Sequence, residues 1–161
     1  MFELMYENKG IGLAANQVAL PFRFFILNVT ADREQKDKEQ VFINPEIVKR
    51  HASIEDEEGC LSIPGLYAKV ARARKVKVQA FDLDGNPVEV EAEDLHSRAI
   101  QHETDHLNGR LFIDLVSPVN RPALDPKLRE FELKFRQAQA AGEYPADEEI
   151  MRQLRDLARG S

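Results

Sequence analysis

The sequence contains no tryptophan and one cysteine, and no long apolar run occurs in its 161 residues. A single cysteine rules out an internal disulfide and fits a reducing compartment. No stretch approaches the roughly 20 apolar residues that span a membrane, so we expect no membrane association. The net charge of −6 provides no positive excess, and direct nucleic-acid binding is not expected. Hydrophobic residues make up 43% of the chain, which is enough for one domain with its own core.

The most informative stretch of the chain is Q-H-E-T-D-H, at residues 101–106. On a helix, residues four apart share a face, so His102 and His106 can hold one metal ion between them. Glu103 follows the first histidine directly and can act on a water held by that metal. Two histidines leave the site short of a ligand, and the source of the third decides the class of enzyme.

Zinc peptidases are the first interpretation of this motif. One large group places a third histidine in H-E-x-x-H-x-x-G-x-x-H, but Phe112 occupies that position here. Other zinc peptidases use a glutamate from a later helix, and Glu130 and Glu132 lie in a charged stretch typical of a solvated helix face. A zinc peptidase is therefore kept as one alternative, and a non-catalytic metal-binding domain as another. Glu103 argues against the second, because a structural site has no use for a base.

A third ligand is available upstream in E-G-C-L-S, at residues 58–62. An isolated cysteine is most often a buried structural thiol, and that interpretation stays open for Cys60. Acidic residues crowd the preceding turn, at 55–58, and a core-filling cysteine rarely lies in such a segment. A further motif, G-I-G-L-A-A-N-Q at residues 10–17, has two glycines that suit a backbone passing close to a ligand. It lacks the spacing and the lysine of phosphate-binding loops.

Together, these three segments resemble the peptide deformylase family. That family carries G-x-G-[LI]-A-A-x-Q, E-G-C-[LI]-S and Q-H-E-x-D-H-L-x-G in that order, and the resemblance runs from Met1 to about Pro118. It implies that Cys60, His102 and His106 hold one divalent metal ion. Iron(II) is the expected native metal, with zinc, nickel and cobalt as alternatives. The implied reaction removes the N-terminal formyl group of nascent polypeptides that begin with formylmethionine and releases formate.

The same resemblance implies roles for the neighbouring residues. Glu103 is expected to take a proton from water at the metal and to return it to the departing amine. The side-chain amide of Gln17 and the backbone N–H of Leu61 are expected to stabilise the oxyanion. Glu58 is expected to pair with Arg72 and hold the cysteine loop. The expected substrate-binding residues are Gly10, Ile11, Gly12, Leu95, Arg98 and Ala99.

Two of these expectations leave alternatives open. Ile11, Leu95 and Ala99 fit ordinary core packing as well as an apolar pocket for the methionine side chain. Arg98 precedes His102 by one helical turn, where it can line the pocket mouth or pair with an acidic surface residue. Asp105 is a candidate hydrogen-bond partner for a ligand histidine.

The predicted fold class is α+β, with antiparallel strands packed around a central metal-binding helix and with C-terminal helices. The metal helix is predicted at 93–107, with Gly109 placed to end it. The sequence predicts strands at 22–29, 41–48, 68–81 and 88–92, and further helices at 2–9, from Asp125-Pro126 onward and at 147–158. Residues 1–120 are predicted to form the catalytic domain, and 121–161 its helical extension. Because the family carries a further strand before the first helix, we expect the N-terminus to be incomplete.

The expected partners are N-formylmethionyl nascent peptides, with transient association to the ribosome. The bacterial cytoplasm is the expected location. An organelle is the alternative, because the N-terminus looks incomplete.

Overall fold

Two antiparallel sheets and a central helix make up the body of the computed structural model, which describes residues 1–159. The strands are β1 (Gly12–Ala14), β2 (Phe24–Leu27), β3 (Gln40–His51), β4 (Ile54–Cys60), β5 (Ile63–Arg72), β6 (Lys75–Phe81) and β7 (Pro87–Glu93). The helices are α1 (Phe2–Glu7), α2 (Asp94–Leu107), α3 (Arg121–Ala140) and α4 (Asp147–Arg159), with 3₁₀ turns at Ala15–Val18, Lys36–Lys38 and Phe112–Leu115. The first sheet has the strand order β1-β2-β3-β6-β7, and β4 pairs with β5 in the second.

The main core lies between the five-stranded sheet and α2. Strand β6 alternates as its sequence predicts: Val76 and Val78 are buried, while Lys77 points toward solvent and pairs with Glu89. From the helix, Ile100 enters the same core and is fully buried. Burying each such side chain contributes about 1.5–3 kcal/mol, so this apolar face fixes how α2 lies on the sheet. The α+β class with antiparallel strands around this helix is confirmed.

A second core forms under the β4–β5 hairpin. Val70, Phe112 and Leu124 are buried there, and α3 packs against β5. This core holds the hairpin beside α2, which brings the end of β4 close to the histidines. No helix within residues 1–159 has the length and apolar character needed to cross a membrane.

The structure corrects two predictions around the second sheet. The predicted strand at 68–81 is two strands in different sheets, β5 and β6, separated at Ala73. The backbone of Ala73 bonds to the helix instead: its N–H donates to Gln101 Oε1 over 3.0 Å, and its carbonyl accepts from Ser97 Oγ over 2.9 Å. The acidic residues 55–58, predicted in a turn, belong to strand β4 and pair with β5.

The predicted start of the third helix is also wrong. The α3 helix begins at Arg121, not at Asp125-Pro126, and Pro126 lies inside it. Tertiary contacts set this start, because Leu124 is buried in the second core and Arg121 Nη1 donates to the Ile113 carbonyl over 2.8 Å. The α4 helix lies where it was predicted. The division into a catalytic domain and an extension stays a prediction, and its last two residues, 160 and 161, lie outside the described part of the chain.

Candidate functional site

Three potential ligand atoms converge beside α2. His102 and His106 lie one turn apart on the same helix face, with their Nε2 atoms 3.1 Å from each other. The Cys60 Sγ, at the end of β4, is 3.2 Å from His106 Nε2. All three atoms lie within 4.8 Å of one another. Ligand distances of about 2.0–2.3 Å around one tetrahedral ion place the ligand atoms about 3.3–3.6 Å apart, so this cluster fits a single metal.

The chemistry of the donors fits a metal as well as their spacing does. Burial raises the pKa of the Cys60 thiol, but hydrogen bonds with His102 and His106 outweigh it and bring the pKa to about 5. Burial lowers the pKa of His102, but the Cys60 thiolate and Glu58 raise it to about 10. The two shifts reflect one pairing, in which the Cys60 thiolate is stabilised by the imidazoles and a cation is stabilised beside the thiolate. A divalent metal can take the place of that cation.

Glu58 orients His102. Its Oε1 lies 2.6 Å from His102 Nδ1, which leaves Nε2 as the ring nitrogen that is free to bind a metal. Burial raises the pKa of Glu58, but the hydrogen bonds with His102 and Arg72 dominate and lower it to about 2. The carboxylate is therefore ionised and fixes the imidazole tautomer, as a histidine ligand requires.

The Glu103 carboxylate lies at the buried side of the cluster. It is 4% exposed, and its Oε2 has no hydrogen-bond partner within residues 1–159. Burial raises the pKa of Glu103, and this effect exceeds the lowering by the two histidines, so the pKa is about 7. Gly12 makes room for this group, because a Cβ there would lie 2.5 Å from Glu103 Oε1. A carboxylate that titrates near neutral pH is suited to accept and return one proton.

Gln17 and Leu61 are neighbours of the cysteine. The Gln17 Oε1 accepts a hydrogen bond from the Ala14 N–H over 2.8 Å, so its amide N–H groups point toward the cluster. Its Nε2 donates to Ser62 Oγ over 2.9 Å and lies 3.7 Å from the Cys60 sulfur. Leu61 directly follows Cys60 in the turn between β4 and β5.

A cavity of about 450 Å³ opens onto the cluster. Gly10, Ile11 and Gly12 line one side, where Ile11 is half-buried. On the helix side, Ala99 is buried and Leu95 is 52% exposed at the mouth. All six residues expected to bind substrate, including Arg98, lie on this cavity.

Two charged helix residues have ionic partners that differ from those expected from the sequence. Asp105 was a candidate partner for a ligand histidine, but it accepts a hydrogen bond from Arg72 Nη1. The carboxylate that contacts His102 is Glu58. Arg98 is 8% exposed and pairs with the buried Glu58, not with a surface acid, over 2.8 Å. Glu58 also pairs with Arg72 over 2.6 Å.

Sequence reasoning missed two residues that hold the site together. Asn16 Nδ2 donates to the His106 carbonyl over 2.6 Å and ties the 3₁₀ turn to the end of α2. The Ser62 N–H lies 3.4 Å from Cys60 Sγ. Both residues fall inside the motifs at 10–17 and 58–62, so the motifs marked them without indicating what they contact.

Comparisons with known proteins agree on one family. A family model described as polypeptide deformylase matches residues 1–122. A peptide deformylase of Chromobacterium violaceum is 49% identical over 132 residues, covering 82% of this chain and 77% of that protein. One of Rhodopirellula baltica is 41% identical over 155 residues, covering 96% and 76%.

Solved structures show the same likeness. The peptide deformylase of Plasmodium falciparum superposes with a TM-score of 0.80 at 40% identity, covering 87% of this chain and 80% of that one. The enzyme of Thermus thermophilus gives a TM-score of 0.78 at 38% identity, covering 85% and 80%.

Proposed function

The chain belongs to the peptide deformylase family, and from this premise we propose that Cys60, His102 and His106 are the metal ligands of its deformylation centre. The enzyme is a hydrolase that removes the formyl group from the formylmethionine of nascent polypeptides and releases formate. The observation that carries the assignment of residues is the convergence of the three ligand atoms beside the buried Glu103 carboxylate. A zinc peptidase is not favoured, since Glu130 is exposed on α3 and pairs with Lys134.

The metal is a part of this proposal. When bound, a divalent ion supplies a Lewis acid that acidifies a coordinated water and polarises the formyl carbonyl. One thiolate and two imidazoles suit several first-row ions. We assign iron(II) as the native metal, and zinc, nickel and cobalt as ions that the same three residues accept.

Glu103 is assigned to proton transfer. Its unpartnered Oε2 takes a proton from the attacking water and then delivers it to the nitrogen of the departing amine. Gly12 packs against Oε1 of this carboxylate and helps to fix its position. Within residues 1–159, Oε2 has no hydrogen-bond partner that would compete for the proton. Burial of Glu103 keeps bulk water from supplying the proton instead.

Gln17 and Leu61 are assigned to the developing oxyanion. The Ala14 N–H donates a hydrogen bond to Gln17 Oε1 and fixes the orientation of the Gln17 amide. The amide therefore need not reorient as negative charge develops on the substrate oxygen. Its present acceptor, Ser62 Oγ, is a neutral oxygen that an oxyanion can replace. The Leu61 backbone N–H, next to the cysteine ligand, is the proposed second donor.

The cavity explains how a peptide enters. Strand β1 is at the edge of the five-stranded sheet, and β4 is one of two strands in the second sheet. Gly12 and Gly59, from these two strands, both line the cavity. An extended peptide can therefore bond its backbone to strand edges while Ile11, Leu95 and Ala99 surround its first side chain.

The partners and the compartment are proposed on the same grounds. The substrate is a nascent chain, so we propose transient association with the ribosome during synthesis. The net charge of −6 does not support direct binding of nucleic acid. Since the two sequence relatives described above are bacterial, we place the enzyme in the bacterial cytoplasm, with an organelle as the alternative.

Formate release tests the proposal. Metal-loaded enzyme is incubated with N-formyl-Met-Ala-Ser, with the N-acetyl form of that peptide, and with an unmodified longer peptide. We expect formate from the first peptide and no internal cleavage of the longer one. We expect no acetate from the second, because the residues around the formyl carbon exclude a larger acyl group sterically. Internal cleavage without formate release would instead indicate a peptidase.

A further inference from the structure

Two charged residues of α2 surround the Glu58–Arg72 pair. Arg98 Nη1 donates to Glu58 Oε2 over 2.8 Å, and the Asp105 carboxylate accepts from Arg72 Nη1. Arg98 and Asp105 are seven residues apart and therefore lie on the same helix face, about 10 Å from each other along the axis. Within residues 1–159, no hydrogen bond or ion pair joins them directly, so each reaches the other only through Glu58 and Arg72.

The four acceptor positions of the Glu58 carboxylate are all used. Oε1 accepts from Arg72 Nη2 and from His102 Nδ1, each over 2.6 Å. Oε2 accepts from Arg72 Nε over 3.1 Å and from Arg98 Nη1 over 2.8 Å. An ionised carboxylate has about four such positions. The two arginines occupy three of them and fix the orientation of the carboxylate, and His102 occupies the fourth.

With His102 as the neutral imidazole that binds a metal, the charges of Glu58, Arg72, Arg98 and Asp105 balance. Glu58 with Arg72 would already be a neutral pair, and Arg98 adds one positive charge that is 8% exposed. Asp105 adds one negative charge on the far side of Arg72, with its side chain 16% exposed. An unpaired buried charge is costly in free energy. The negative charge of Asp105 therefore compensates the positive charge of Arg98, and removing either one leaves a net charge in the group.

The Arg98 guanidinium also donates hydrogen bonds to backbone carbonyls of the second sheet. Besides Glu58, its Nη1 donates to the Val70 carbonyl over 3.0 Å, and its Nη2 donates to the Ile54 carbonyl over 3.1 Å. These bonds hold the side chain against β4 and β5 and direct its guanidinium toward Glu58.

We infer that Arg98 and Asp105 are positioning residues that hold the ligand His102 through a charge-balanced cluster around Glu58 and Arg72. This inference rests on the proposed metal-binding role of Cys60, His102 and His106. It predicts energetic coupling between two side chains that do not touch. With Arg98 present, loss of the Asp105 charge removes the ionic partner of Arg72 Nη1 and leaves an excess positive charge beside His102 that repels a cation. With Arg98 removed, Glu58 and Arg72 are already balanced, and the same loss matters less.

A double-mutant cycle tests the coupling. Cobalt(II) affinity is measured by competition titration and by the thiolate-to-cobalt absorption band in wild type, Asp105→Asn, Arg98→Met and the double variant. Asp105→Asn is expected to weaken affinity on the order of 10–100-fold, the usual effect of losing a partner behind a ligand. In the Arg98→Met background the same change is expected to cost about threefold or less.

The control is Asp94→Asn, at the start of the same helix, whose carboxylate pairs with the exposed Arg74. This change is expected to leave cobalt affinity unaltered. If Arg98→Met does not fold, Arg98→Gln, which keeps a donor for Val70, takes its place in the cycle. Equal losses for Asp105→Asn in both backgrounds would overturn the inference while leaving the metal site intact. A wild-type protein that bound no cobalt would show that the ligand assignment is wrong, and the inference would fail with it.

Discussion

Glu58 is expected to be the carboxylate on which the metal-free fold depends most, and Glu58→Gln is the perturbation that measures this. An amide retains the shape but places an N–H₂ group opposite N–H donors of Arg72, Arg98 or His102. The two positive charges of the arginines are then opposed only by the single negative charge of Asp105. Breaking a buried ion pair by removing one partner typically costs about 3–5 kcal/mol.

The pKa of Glu58 gives an independent magnitude. It falls from 4.5 to about 2 on folding, and each unit is worth about 1.36 kcal/mol, so ionised Glu58 contributes about 3 kcal/mol. Its side chain is 5% exposed, and solvent screening takes little from this figure. The stabilisation is complete above about pH 4.5, where the carboxylate is ionised in the unfolded chain as well. It is lost as the pH falls through about 2, where the folded protein takes up the proton.

Urea unfolding of metal-free wild type and Glu58→Gln at pH 6, 4 and 2.5 is the assay. We expect a difference of about 3 kcal/mol at pH 6, which is a shift of about 1–2 M in the urea midpoint, and a smaller difference as the pH falls. Glu89→Gln, which removes an exposed partner of Lys77, is the control and should change stability by less than about 1 kcal/mol. A difference below 1 kcal/mol at pH 6, or one that did not shrink toward pH 2.5, would refute the reasoning.

Three further changes test the site itself. Cys60→Ala is expected to abolish metal retention and deformylation, as determined by metal analysis beside a formate assay, and a variant that kept one tightly bound metal would remove Cys60 from the ligand set. Gly12→Ala places a methyl group 2.5 Å from Glu103 Oε1 and is expected to lower kcat at least about tenfold with the metal retained; unchanged kcat would show that this contact is not needed. Gln17→Ala is expected to lower kcat by about 10²–10³-fold with little change in KM, and an effect confined to KM would contradict its role at the oxyanion.

The helix that carries the histidines could be predicted because its signals are local. H-E-x-x-H places both imidazoles on one face, and Gly109, with a φ of 71°, follows the helix end as the sequence indicates. Three motifs in order also indicated that Cys60 meets the histidines. These inferences need only short-range periodicity and motif order.

The remaining features depend on partners distant in sequence. Among the four acidic residues at 55–58, the chain gives no local sign that Glu58 alone is buried, since its partners Arg72 and Arg98 are 14 and 40 residues away. The end of β5 is set by Gln101, 28 residues from Ala73. The start of α3 at Arg121 was missed for the same reason, because the buried contacts of Leu124 outweigh the local preference for a helix start at Asp125-Pro126.

Deformylation by the metal-loaded Glu103→Gln variant tests the central claim most directly. The substitution keeps the size of a side chain that is 4% exposed and removes its ability to take a proton. One residue is assigned both proton transfers, so we predict a kcat lower by about 10²–10⁴-fold in protein that retains one metal per chain. Turnover within a few-fold of wild type, with the metal bound, would contradict the assignment of Glu103 and the mechanism built on it.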